Sequence, residues 1–121
     1  MITKTILILT ISLVPVSLLA QQATGNNKFG WDQPAPQLTD AQGYTYKYYP
    51  DGSGTAQTFT GVTCTGAASP FQCVVQIPAF TPGNHTIQLS ATNIAGESPK
   101  SSPFAFVFVV TPGAPTNIRI Q

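Results

Sequence analysis

Apolar and polar positions alternate in short runs that proline and glycine punctuate. Tyr44, Tyr46 and Tyr48 alternate with Thr45 and Lys47, and Ile87, Leu89 and Ala91 alternate with Gln88, Ser90 and Thr92. A period of two puts each set on one face of a strand, which predicts strands with one buried and one wet face. Stretches rich in Val, Ile, Thr, Phe and Tyr predict strands at 28–32, 43–49, 56–64, 72–77, 85–93 and 104–110, with a seventh fragment at 116–120. Asp51-Gly52-Ser53-Gly54 and Pro82-Gly83-Asn84 supply turn chemistry between them, because Gly and Asn tolerate the left-handed backbone. No segment shows a helical period. The expected fold class is all-β, an antiparallel immunoglobulin-like sandwich.

The one long apolar run lies at the start, where a short basic segment ending at Lys4 precedes an almost unbroken stretch over 6–20. It is short of the roughly 20 residues a spanning helix needs, and Pro15 interrupts it. It reads as a secretory signal peptide over 1–20, followed by a short polar lead at 21–27, a domain at 28–110 and a tail at 111–121. The expected location is secreted or periplasmic, with no membrane association after cleavage.

Charge narrows the function classes. The 121 residues carry 5 Lys and Arg against 4 Asp and Glu, and without the signal Lys28, Lys47, Lys100 and Arg119 balance Asp32, Asp40, Asp51 and Glu97. A chain this sparse in charge lacks the basic stripe that displaces phosphate counterions, so nucleic acid is not an expected partner. With 1 His and 2 Cys, no multi-residue catalytic, metal or cofactor site is expected.

Four segments in order resemble the fibronectin type III domain over roughly 28–110. Trp31-Asp32-Gln33-Pro34 looks like that family's W-x-x-P, and Gly43-Tyr44-Thr45-Tyr46-Lys47-Tyr48 looks like its G-Y-x-(apolar)-x-Y. Ile77-Pro78-Ala79-Phe80-Thr81-Pro82-Gly83 matches its L-x-x-L-x-P-G corner, and Ala91 through Ser98 matches its A-x-N-x-x-G-x-S exit. The resemblance implies a seven-stranded sandwich for adhesion, spacing or partner binding, without catalysis. His85 falls where the family carries a corner tyrosine. Two departures stand out. Trp31 follows the signal so closely that the first strand is expected to be missing, baring one margin of the second strand around 29–31. The usual first-strand signature, a proline and then an alternating strand, stands instead at Pro115-Thr116-Asn117-Ile118-Arg119-Ile120. That tail is expected to pair with the bare margin of another molecule or to stay free.

Cys64 and Cys73, nine positions apart in an exported chain, are expected to form a disulfide. His85 reads as structural, since no spacing brings it metal or catalytic partners. Trp31 and Tyr44, Tyr46 and Tyr48 read as core. Tyr49, on the opposite face from Tyr48, reads as an exposed contact aromatic. Phe104, Phe106 and Phe108 lie in a run apolar on both faces, as at a strand edge that pairs with a partner or is covered by the chain itself. The expected function is a non-catalytic binding, adhesion or spacer module whose partner is a protein or a surface carbohydrate. The alternatives are an assembly subunit working by strand addition, with self-association through the tail, and the N-terminal piece of a longer secreted enzyme or surface protein.

Overall fold

The computed structural model describes residues 20–121, so the segment expected to be a signal peptide lies outside the described residues but for Ala20. Nine strands and one short helix follow: β1 (Gln21–Ala23), β2 (Lys28–Gln33), α1 (Leu38–Gly43), β3 (Thr45–Pro50), β4 (Gln57–Thr58), β5 (Thr63–Thr65), β6 (Phe71–Gln76), β7 (Gly83–Asn93), β8 (Gly96–Glu97) and β9 (Phe104–Phe108). They make two facing sheets, one in the order β1-β9-β7-β3-β4 with β8 hairpinned onto β7, the other in the order β2-β6-β5. Every pairing is antiparallel except the parallel contact of β1 with β9. The chain is therefore the expected all-β, antiparallel-rich sandwich.

Alternation sets the core. Tyr46 faces Ala91 and Tyr48 faces Leu89 across β3 and β7, so the inward set of each strand shares one side. Phe29 and Trp31 of β2 and Phe71, Cys73 and Val75 of β6 supply the opposing layer. Phe106 joins the two, with its ring 5.3 Å from Phe29 and 5.1 Å from Phe80, both edge to face. Trp31 stands edge-on to Tyr46 at 5.1 Å and stacks on Phe59 at 5.9 Å.

Four expectations change. The strand read at 56–64 is two strands on different sheets, β4 beside β3 and β5 beside β6. Gly61, at φ +75, turns the chain between them, a left-handed conformation that a side chain at this position would resist. A single helical turn, α1, appears where none was read, because six residues are too few to show a 3.6 period. The Asp40 carboxylate accepts the Gln37 N–H at its start, 3.1 Å away, and the fully buried Ala41 seats it on the core. The fragment at 116–120 forms no strand, and Ile118 and Ile120 lie in water. Finally, the polar lead is not idle: β1 pairs with β9 in register Gln21 to Phe106 through Ala23 to Phe108, and so the chain itself covers the edge of the apolar 104–110 run.

Among the described residues, the second strand's own margin stays open. Ile77 N–H donates to the Asn27 carbonyl at 3.1 Å. Alternation along the ladder then turns the backbone of Phe29, Trp31 and Gln33 toward β6 and that of Lys28, Gly30 and Asp32 away from it. Those three residues are exposed, so water satisfies their N–H and C=O groups and no covering segment is required.

Candidate functional site

Among the described residues no strand lies on the outer side of β2, which leaves the sandwich unclosed along one side. A groove of about 820 Å³ opens there. Its floor is Ile87, Leu89 and Ala91 of β7 with Phe104 and Phe106 of β9, and its wall is the free edge of β2 from Lys28 to Gln33. Two features hold it open. The segment at 98–101 replaces a strand beside β7: Ser98 and Ser101 hydroxyls accept the N–H groups of Ala91 and Leu89 at 3.0 and 2.8 Å, and Pro99 has no N–H for a ladder. β9 consequently begins only at Phe104, which protrudes at the rim and stays 45% exposed. Trp31 in the wall keeps its indole N–H buried without an acceptor among the described residues. The groove combines an apolar floor, free backbone donors and acceptors and an unpaired indole, which is the chemistry that receives an extended peptide.

Of the aromatic residues expected to meet a partner, only Phe104 is substantially exposed. Phe106 is 1% exposed and Phe108 is also buried, since their shared face looks into the sandwich. Tyr49 does lie on the outer face of its sheet, as its alternation with Tyr48 requires, but it is only 6% exposed. The reason is the β7–β8 hairpin: Glu97 accepts from the Tyr49 hydroxyl and, at 2.7 Å, from Ser90, while the Lys100 ammonium caps the Tyr49 ring 4.0 Å from its centre. Hydrogen bonds from Ser90 and Tyr49 hold the Glu97 carboxyl below its ordinary pKa, and the bond to Glu97 raises that of the Tyr49 phenol. Every group in this cluster has a partner, so it presents none for binding.

Cys64 and Cys73 form the expected disulfide. Cys73 already shares its backbone bonds with Trp31, so its pairing with Cys64 falls at the closely spaced, non-hydrogen-bonded kind of site, with Cα atoms 4.0 Å apart. Tyr46 lies over both sulfurs at 3.7 Å and donates its hydroxyl to the Ala41 carbonyl at 2.6 Å. Burial pushes its phenol pKa up to about 12.

His85 has partners that its sequence neighbours did not announce. Nδ1 is 2.9 Å from Asp51 Oδ2, and Nε2 is 2.6 Å from the Thr81 carbonyl and 3.3 Å from the Thr81 hydroxyl. The order hydroxyl, imidazole, carboxylate looks like a nucleophile triad, but the protons contradict it. A carbonyl and a carboxylate can only accept, so both ring nitrogens donate and none is left to take a proton from Thr81. The ring, 10% exposed and flanked by Phe80 and Phe106, instead ties the Asp51 turn to the Thr81 corner.

A pH dependence follows. The bonds to Asp51 and then Thr81 raise the His85 pKa, so its contribution to stability is complete below the ordinary imidazole value of about 6.5 and is lost as pH rises through the raised one. Asp51, lowered by the same bond and by the Thr86 N–H, contributes above the ordinary carboxylate pKa and loses that as pH falls through its depressed value. Thermal melts should therefore show Tm declining as pH rises above the ordinary imidazole value of about 6.5, and Asp51→Asn should flatten that limb. An equally steep limb in the variant would assign the dependence to another group.

Among the described residues no group of three His, Cys, Asp or Glu could hold a metal ion, and no helix is long and apolar enough to cross a membrane. No family model, no curated protein and no solved structure matches the chain.

Proposed function

We propose that this chain is an exported, non-catalytic binding module, a fibronectin type III-like sandwich that recognises an extended peptide along the open side of β2. The observation that carries the reading is the groove itself, where a bare sheet edge borders an apolar floor. A peptide laid there gains main-chain bonds from Lys28, Gly30 and Asp32, and its alternate side chains enter over Leu89 and Ala91. A protein segment fits this better than a surface carbohydrate, which cannot continue a β-ladder. The four motif segments support the family likeness by falling, in order, on β2, on β3, on the 77–83 corner and on the β7–β8 hairpin, which belong to both sheets and to the connection between them. The buried disulfide and the N-terminal apolar run support export to an oxidising compartment, secreted or periplasmic.

Selection from a displayed library of random dodecapeptides tests the reading. Enriched sequences should alternate apolar and polar residues. Their capture should be lost with Gly30→Pro, which removes an outward N–H and spares the bonds to β6, and with Ala91→Phe, which fills the floor. Enrichment without alternation, or capture that survives both substitutions in folded protein, overturns it.

A further inference from the structure

We propose that the occupant of this groove is the tail of a second copy of the same chain, whose residues 118–120 add as an antiparallel strand to the free edge of β2. The proposal rests on reading the groove as a strand acceptor and names what enters it.

The donor matches the acceptor position by position. Ile118 and Ile120 stand two apart, so an extended tail turns both to one side, and at 92% and 101% exposed they are otherwise wholly in water. On β2 the inward set at this edge is Phe29, Trp31 and Gln33, and an added strand with its isoleucines inward continues that layer over Leu89, Ala91 and Phe104. Arg119 then takes the outward face occupied by Lys28, Gly30 and Asp32, where the Asp32 carboxylate is the acid within reach and Gly30 has no side chain to obstruct it. An added backbone also brings carbonyl acceptors to the wall that contains the unpaired Trp31 indole.

For an antiparallel strand, chain direction favours a second molecule as the donor. Val109 N–H bonds to the Ala23 carbonyl at 2.8 Å, so β9 ends at the pole where β1 ends and, after the 24–27 turn, β2 begins. A strand antiparallel to β2 must enter from the other pole, beside Gln33. The six residues of β2 span about 20 Å. The chain's own tail would have to cover that length and reverse across Pro112 and Pro115 before Ile118. A neighbouring molecule delivers its tail without the reversal. Donor and acceptor are different surfaces, so the contact is head to tail and leaves a free groove at one end and a free tail at the other.

The test uses the chain from Gln21 to Gln121, purified with its disulfide intact, and measures mass against concentration by analytical ultracentrifugation. The wild type should grow beyond a dimer as concentration rises. Ile118→Asp/Ile120→Asp, with its groove intact, and Gly30→Pro, with its tail intact, should each be monomeric. Mixed in equal amounts, the two should stop at a dimer. A synthetic peptide of residues 112–121 should shift the emission of Trp31, the chain's one tryptophan, in the Ile118→Asp/Ile120→Asp variant. The same peptide carrying both aspartates should bind roughly a hundredfold or more weakly, because two buried isoleucines are lost. A wild type that stays monomeric to about 1 mM, or a tail variant as oligomeric as the wild type, overturns the proposal. Should random peptides enter the groove while 112–121 does not, the occupant is wrong and the strand acceptor stands. Should neither enter, both readings fall.

Discussion

Phe106→Ala is expected to cost about 3 to 5 kcal/mol, a large part of the 5 to 15 kcal/mol that holds a typical domain together. Phe106 is among the largest fully buried side chains and packs against Phe29 from β2, Phe80 from the corner and the His85 ring. Its loss opens a cavity between the two sheets where no flexible neighbour can fill in, since Phe29 and Phe80 are each fixed by further aromatic contacts. Urea titration should show the midpoint fall with the slope unchanged. Phe104→Ala, two residues earlier and 45% exposed, should change stability by less than about 1 kcal/mol. Equal effects from the two would mean that Phe106 does not join the sheets as described.

Replacing both cysteines by alanine is expected to cost about 2 to 5 kcal/mol. The bridge closes a short loop, so the chain-entropy part is modest, roughly 2.5 kcal/mol. The packing part adds to it, because both sulfurs are buried beneath Tyr46 and the Ala41 turn. Burial also governs access: dithiothreitol should reduce the bond slowly in buffer and quickly in urea. Intact mass, rising by two hydrogen atoms on reduction by dithiothreitol, reports each time point. Free thiols in protein purified without reductant, or reduction in native buffer as fast as in urea, would contradict this account.

Much of the fold was legible because a period of two is a local signal. The alternations in 43–49 and 85–93 identified β3 and β7 and which side of each faces inward. The same signal mistook 56–64 for one strand, because a chain that changes sheets at Gly61 keeps its β composition on both sides of the crossing. It was also silent on α1, too short to show a period, and on β1, whose polar Gln21-Gln22-Ala23 becomes a strand only because β9 offers it backbone partners.

The candidate site divides the same way. Counting residues ahead of Trp31 was enough to expect an unfilled place beside the second strand, and the tail's alternation was visible in Ile118-Arg119-Ile120. That Tyr49 is buried could not be read locally, since its cover comes from Glu97 and Lys100, about 50 positions on. Nor could the sequence show that Asp51 meets His85, or that both ring nitrogens donate; those depend on a turn and a corner brought together by the pairing of β3 with β7. By itself the sequence determined the fold class, the disulfide and the inward faces, all consequences of spacing along one strand or of one chemical pair. Only the tertiary structure decided which faces are covered, which edges are paired and where the groove opens, because coverage depends on the distant segments that pack over each surface.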